Sequence, residues 1–426
     1  MGNFKTLLEK VTKLRTKEER HFAILSLIII SLPFTVILNS LLIIALVINS
    51  MNGFQWQKIK ASARLKLPIL FIGLPLIFSA LSLIQTENLD KGYFAIEKGL
   101  SIIAFPIVFL QSKELSKKNI TSLITVFIGT TVVIAMVCFG NSIWLMISNG
   151  GLIDQGKLLD REYYYFTYSY LSETVGMSPI YLGMYINFSI ALVLNRITYS
   201  DKAKKYLLIL VLLSVFLVLL LSKINVIIYF VVLFITAINW IKNKKSNVVV
   251  YLITATIAVL LMIVLIKPIK DRLINIDYFS YEIDQGHIGY WNGANLRMAI
   301  WECTIDPIKN NWLLGVGSGD VEQVLLDSYE DKDFKIGTLT GYNTHNQWLE
   351  FSLSFGIIAT LIVLATNILV PLIIGFKKDY NLFIFLIIIL LTSLTEVIFA
   401  TQKGVVFYSL FLTLFLNNLH LAPKLK

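Results

Sequence analysis

The sequence is poor in charged residues, in cysteine and in histidine. Only 15% of its 426 residues are charged, where soluble domains approach a quarter, and 56% are hydrophobic, with a mean hydropathy of +0.73. Two cysteines and four histidines do not provide a disulfide framework or a histidine-rich metal site. The composition therefore excludes a soluble globular domain and predicts a protein that crosses a membrane several times.

Long apolar runs predict an all-α, polytopic membrane protein. Runs such as 206–221 and 248–266 are continuously apolar, whereas the strands of a membrane barrel alternate apolar and polar residues. Because about 20 apolar residues cross the hydrocarbon core as a helix, we expect about twelve transmembrane helices, with a turn at Pro33 between the first two. They are placed at 22–36, 37–50, 67–85, 99–112, 120–148, 179–195, 206–221, 224–241, 247–266, 346–374, 382–395 and 404–420.

The positions of lysine and arginine predict the orientation. The short connections expected inside, such as 58–66 and 242–245, are basic, as the positive-inside rule requires. The polar segment 267–345 then lies outside as one large periplasmic loop with short helices, and it is acidic. Residues 1–266 carry nine helices and residues 346–426 carry three, with both termini in the cytoplasm. The net charge of +10 thus reflects topology, and no nucleic-acid partner is expected.

The outer segment contains a helical pattern and a glycine-rich loop. The sequence NLRMAIWECTID has helical spacing, with Arg297 and Trp301 on one face. Pro307 and the pair Asn310 and Asn311 are expected to end this helix. The sequence GVGSGD follows, with Gly317 at its centre and Asp320 as the expected N-cap of another helix. Such a loop is either a plain turn or a cradle of backbone N–H groups for a phosphate.

The sequence THNQWLE predicts the start of the tenth span. Thr344 and Gln347 have the spacing of a capping box, so His345 is expected as the first helical residue. There the positive end of the helix dipole would favour a neutral imidazole that can accept a proton. The alternative is an ordinary histidine at the membrane surface.

Two charged residues near membrane level also have two interpretations. Lys223 occupies the outer turn between two spans, where it either reaches toward lipid headgroups or binds an anionic group of a lipid substrate. Glu396, at the outer end of the eleventh span, is either an exposed loop residue or part of a site.

These motifs resemble the O-antigen ligase and O-antigen polymerase superfamily. The resemblance rests on Arg297-x-x-x-Trp301, on GVGSGD and on THNQWLE followed by SFG, within a large outer loop of a protein with about twelve spans. It extends to SPIYLGMYINF, which contains Tyr181, and more weakly to SLTE, which contains Glu396.

The resemblance also implies which residues are needed. The family requires an outer-loop arginine and a histidine at the end of that loop, which match Arg297 and His345. A second required arginine, in a Ser-Arg pair, matches Ser222 and Lys223, where this chain departs from the pattern. A lysine can hold a phosphate as a point charge but lacks the bidentate fork of arginine.

The implied reaction is a metal-independent, inverting glycosyl transfer without a cofactor, in the bacterial inner membrane. A glycan on undecaprenyl diphosphate passes to an acceptor hydroxyl, on lipid A-core or a similar acceptor in a ligase, and on a growing glycan in a polymerase. His345 and Arg297 are the expected catalytic residues, and the expected substrate contacts are Lys223, Arg297, Gly317, Tyr181 and Glu396. A transporter is the less favoured alternative, because the spans have almost no charge at their centres.

Overall fold

The computed structural model describes residues 16–51, 67–111, 115–148, 165–199, 203–242, 246–273, 282–284 and 291–419. These residues form helices and no strand, which confirms the prediction of an all-α protein.

The helices that precede the outer segment are numbered α1 to α12. Their bounds are Lys17–Ser31, Val36–Met51, Leu67–Phe71, Leu74–Ser82, Leu89–Gly99, Ser101–Gln111, Lys117–Ser148, Tyr168–Glu173, Pro179–Tyr199, Ala203–Leu219, Lys223–Lys242 and Ser246–Leu265.

The remaining α-helices are numbered α13 to α21. Their bounds are Lys267–Leu273, Asn295–Asn310, Val321–Asp331, Lys335–Thr340, Gln347–Phe355, Ile357–Leu364, Val370–Lys378, Tyr380–Ser393 and Gln402–Asn417. Short 3-10 turns lie at Leu83–Gln85 and Ile398–Ala400, and a π-helical turn at Ala365–Leu369 joins α18 to α19.

Membrane-spanning helices are present, although fewer than twelve meet the requirements of length and composition. In the described part of the chain, six stretches are long and apolar enough: Pro68–Gln85, Leu89–Gln111, Lys117–Ser148, Pro179–Ile197, Lys223–Ile241 and Ile357–Lys378. Four apolar helices are shorter: Val36–Met51, Lys205–Leu219, Ala255–Leu265 and Tyr380–Ser393. The chain is thus an integral membrane protein, and the count of twelve spans stays a prediction.

Several predicted boundaries differ from the structure. The expected span 346–374 is interrupted at Gly356, where φ is 86° and a Cβ would collide with the carbonyl of Leu313. Residues 89–98, which fall between the predicted spans 67–85 and 99–112, belong to helix α5, and the side chain of Asn88 caps its first turn. Pro307 lies inside α14, and the helix ends at Asn310 with Asn311 as its C-cap, as the asparagine pair predicts. The turn at Pro33 is confirmed between α1 and α2.

The centre of the helix bundle is packed with aromatic rings. Phe188 on α9 contacts Phe127 on α7 and Phe407 and Phe411 on α21, with ring centroids 5.1–5.8 Å apart. Tyr185 stacks on Phe407 at 4.4 Å. All five side chains are buried, so α9 and α21 form the scaffold around which the other spans pack.

The outer segment has a small hydrophobic core of its own. Cys303 on α14 is fully buried with Leu325 and Tyr329 on α15 and with Phe334 before α16. The Ser328 hydroxyl donates to the Cys303 carbonyl at 2.6 Å and ties α15 to α14. This core makes α14 a rigid support for the residues at its first turn.

Candidate functional site

Three segments converge where the outer segment meets the bundle: the first turn of α14, the turn 343–346 before α17, and the connection 394–397 after α20. Arg297 Nε donates to the Thr395 carbonyl at 3.0 Å, and Asn346 Nδ2 donates to the Leu394 carbonyl at 3.1 Å. Trp301 Nε1 donates to the Thr344 carbonyl at 3.0 Å. These bonds fix the three segments relative to one another.

His345 faces Glu396 at this junction. Its Nδ1 lies 3.6 Å from Glu396 Oε1, and both side chains are mostly buried. The distance is outside hydrogen-bonding range, and Nδ1 has no hydrogen-bond partner in the described part of the chain. The structure therefore brings together two residues that the sequence separates by 51 positions, in an arrangement that lets the carboxylate orient the imidazole.

The predicted capping box is wrong. The N-cap of α17 is Asn346, whose side chain accepts from the N–H groups of Trp348 and Leu349, and His345 lies outside the helix with φ of 45°. The side chain of Asn343 accepts from the His345 N–H at 2.9 Å and holds this conformation. Asn346 is the N-cap because asparagine is a better N-cap residue than the threonine at 344. The helix-dipole argument for the imidazole therefore does not apply.

Thr344 instead connects this turn to a carboxylate that the sequence reasoning missed. Its buried hydroxyl lies 2.9 Å from Glu350 Oε2 and 2.9 Å from the Asn346 carbonyl. A glutamate one turn into a predicted span is the signal that could have found it, because such a charge at membrane level needs a partner. Glu350 therefore supports the turn that presents His345.

The guanidinium of Arg297 is bound to backbone carbonyls through two of its N–H groups. Its Nη1 donates to the Gly293 carbonyl, and its Nε is used by Thr395. Burial lowers the pKa of Arg297, while the nearby carboxylate of Glu396 acts in the opposite direction. A guanidinium carries five N–H groups, so several remain for an anionic ligand beside the His345–Glu396 pair.

Tyr181 reaches the same junction from the bundle. It lies in the first turn of α9, and its hydroxyl donates to the carbonyl of Val397 at 2.6 Å, next to Glu396. The side chain is buried. This contact makes Tyr181 a support for the 394–397 connection, while its prediction as a substrate contact stays open.

Lys223 begins α11 and is exposed. The following turn of α11 is bound to α9, because Asn225 Nδ2 donates to the Ile180 carbonyl at 3.1 Å and to Ser222 Oγ at 2.9 Å. Lys223 therefore lies at the end of the bundle that carries Tyr181. Its ammonium has no ion-pair partner among the described residues, so it is available to an anion.

The glycine-rich loop packs inside the protein. The Gly317 N–H donates to the Ser354 carbonyl at 3.0 Å, and a Cβ at Gly317, where φ is 100°, would collide with Thr86. Asp320 is the N-cap of α15 as predicted, but its carboxylate accepts from the N–H groups of Glu87 and Asn88. The geometry favours the plain-turn interpretation, because the Gly317 N–H is already bonded to α17.

Arg272 is a cationic residue near the junction that no sequence motif indicated. The guanidinium of Arg272, in the last turn of α13, lies 3.5 Å from the ring centre of Tyr168, which has φ of 52°. Tyr168 also lies near Arg297. Because Tyr168 and Arg272 lie about a hundred positions apart, only the fold could reveal the stack.

Comparison with known proteins identifies part of the chain. Residues 208–364 match the family model described as O-antigen ligase. No curated protein matches the chain. The matched range includes Lys223, Arg297 and His345, while Tyr181 and Glu396 lie outside it. This family implies a glycosyltransferase-type enzyme that acts on lipid-linked glycans in a membrane. Residues 208–364 are therefore similar to the O-antigen ligase family.

Proposed function

We propose that the protein transfers a glycan from undecaprenyl diphosphate to an acceptor hydroxyl, on lipid A-core or a similar surface acceptor, at the outer face of the bacterial inner membrane. The observation that carries this proposal is the convergence of Arg297, His345 and Glu396 at the junction of outer segment and bundle. A cation beside a histidine and carboxylate suits transfer from an anionic leaving group to a hydroxyl.

The leaving group in this proposal is a lipid diphosphate. It carries negative charge that grows at one oxygen as the glycosidic bond breaks, so it needs cations more than it needs a proton. The unused N–H groups of Arg297 face this charge, and the ammonium of Lys223 adds a second positive charge from the bundle. With this pair of cations, the reaction needs no metal ion.

The acceptor hydroxyl in this proposal loses its proton to His345. Nδ1 faces Glu396, so Nε2 is the nitrogen that takes the proton. As the acceptor oxygen bonds to the anomeric carbon, the bond from that carbon to the phosphate oxygen breaks, and its electron pair leaves with the diphosphate. Attack opposite the leaving group inverts the anomeric centre. The Glu396 carboxylate then stabilises the imidazolium.

A polymerase that joins repeat units on the same carrier is the second candidate. It uses the same donor chemistry, and the family match covers both reactions. The two differ only in the acceptor. A polysaccharide transporter is less favoured, because the predicted spans carry almost no charge at their centres.

Deleting the gene and analysing the glycans on the carrier lipid tests the proposal. A ligase predicts that long polymer accumulates on undecaprenyl diphosphate, because polymerisation continues without transfer. A polymerase predicts that single repeat units accumulate. Unchanged carrier-linked glycans would contradict both.

The topology that the proposal needs places residues 267–345 in the periplasm and both termini in the cytoplasm. A reporter active only outside the inner membrane, fused after Asp331 at the end of α15, is expected to be active. The same reporter fused at 243–245 is expected to be inactive, since this connection is basic. The reverse result would remove the outer site.

A further inference from the structure

A cavity lies on the outer segment, apart from the His345–Glu396 pair. It has a volume of about 660 Å³ and opens between the end of α14, the turn that follows it, α15, and the turn between α4 and α5. The polar and aromatic side chains that line it include Glu87, Asn310, Asn311, Trp312, Gln323 and Asp327.

The lining has the chemistry of a saccharide site. The amides of Asn310, Asn311 and Gln323 both donate and accept hydrogen bonds, as sugar hydroxyls do, and Trp312 offers an exposed ring face for the apolar side of a sugar. The lining contains the carboxylates of Glu87, Asp320 and Asp327, and neither lysine nor arginine is present among the described lining residues. This composition favours neutral or amino sugars and disfavours phosphate.

The edge of the cleft is apolar and coincides with the ends of two candidate spans. Ile84, at the end of the span Pro68–Gln85, is 89% exposed, and Leu313 and Leu314 are exposed beside it. The Ile357 N–H, at the start of the span Ile357–Lys378, donates to the Trp312 carbonyl at 2.8 Å. A polar cleft with such an apolar edge fits a saccharide whose lipid stays in the bilayer.

The cleft is too far from Arg297 to hold the diphosphate. Arg297 lies in the first turn of α14 and Asn310 at its end, and 13 residues of helix at 1.5 Å each separate them by about 20 Å. A chain of several sugars is needed to connect the cleft with the junction. The occupant is therefore a glycan and not the carrier phosphate.

We propose that this cleft binds the saccharide of the lipid-anchored acceptor and directs its terminal hydroxyl toward His345. The inference rests on the proposed function, since it concerns the second substrate of that transfer. Neutral or amino sugars contact the amides, carboxylates and Trp312, while the lipid anchor leaves past Ile84 and Leu314.

Steady-state kinetics of the purified full-length protein test the inference. Trp312→Ala is expected to raise the KM for the acceptor at least tenfold, with kcat and the KM for the lipid-linked donor unchanged. Trp144→Ala is the matched control, because Trp144 is 63% exposed and Trp312 51%, and Trp144 lies on a candidate span. An equal effect of the two substitutions would overturn the inference.

A second variant guards against a folding defect. Asn310→Ala/Gln323→Ala changes two exposed side chains of the cleft and is expected to raise the same KM. Rough lipopolysaccharide and a single repeat unit on undecaprenyl diphosphate serve as alternative acceptors, and the acceptor whose KM rises identifies its source. An unchanged KM for both acceptors in both variants would overturn the inference.

The same assay separates this inference from the proposed function. Normal turnover in His345→Ala would contradict the proposed function itself. Loss of turnover in His345→Ala, together with normal acceptor KM in the cleft variants, would contradict only the acceptor cleft.

Discussion

The bundle and the outer segment are both helical, but their interiors differ. The centre of the bundle is a continuous group of aromatic rings around Phe188 and Phe407, without charged side chains among them. The outer segment has a small core around Tyr329, and its surface carries ion pairs such as Lys332 with Asp306 at 2.7 Å. The difference shows that the bundle has a rigid apolar interior, whereas charged side chains lie on the surface of the outer segment and at the ends of the bundle helices.

The candidate site belongs to neither region alone. His345 and Arg297 come from the outer segment, whereas Glu396 and Tyr181 come from the bundle, which also carries Lys223. Hydrogen bonds across the junction, such as Arg297 Nε donating to the Thr395 carbonyl at 3.0 Å, hold the two regions together. Substitutions on the two sides should therefore produce different kinetic losses.

His345→Ala removes the proton acceptor and leaves the cations in place. We expect turnover to fall by roughly 10² to 10⁴-fold, the usual contribution of general base catalysis, while the lipid-linked donor still binds. Single-turnover assays combined with donor binding measure the two effects. Turnover at the normal rate would assign His345 to the membrane surface as an ordinary interfacial residue.

Arg297→Ala is expected to weaken both donor binding and turnover. The guanidinium meets the diphosphate in the ground state and again as charge develops in the transition state, so turnover should fall by about 10² to 10³-fold and the donor KM should rise. Arg297→Lys is the matched control and should recover part of the loss, because it keeps the charge without the fork. A fall in turnover with an unchanged donor KM would argue against a phosphate contact.

Lys223 tests the contribution of the bundle. If its ammonium contacts the diphosphate, Lys223→Ala should lose most transfer, about tenfold or more, and Lys223→Arg should keep it, because positive charge is the shared property. Transfer assays in membranes measure both variants. Full activity of Lys223→Ala would leave it a turn lysine that reaches the headgroups.

The helical membrane fold and two residues of the candidate site could be predicted from the sequence. Hydropathy predicted the helices, because the period and length of apolar runs determine which segments span a bilayer. Motif spacing indicated Arg297 and His345 as candidate site residues. The pairing of His345 with Glu396, and of Arg272 with Tyr168, depends on how distant segments pack, and local patterns do not encode that.

Each difference between the predicted and the observed structure has a specific physical cause. The predicted capping box is wrong because Asn346, two residues closer to the helix, is a better N-cap than Thr344. The tenth span was expected as one helix because hydropathy does not register Gly356, where the chain turns at positive φ against Leu313. The phosphate cradle at Gly317 could not be decided from the sequence, since the partners of its N–H groups come from α17.

The smallest predicted effect is at Thr344, which touches no substrate in the proposed mechanism. Its buried hydroxyl lies between Glu350 and Asn346, so Thr344→Ala leaves a buried carboxylate with one donor fewer, at a cost of about 1 kcal/mol. If the turn then misplaces the imidazole, turnover should fall by about fivefold with donor binding unchanged. Thr344→Ser keeps the hydroxyl and should restore the rate. Equal turnover of Thr344→Ala and the unmodified protein, measured with the same donor and acceptor, would show that the position of His345 is fixed by Asn343 and Glu396 without help from Glu350.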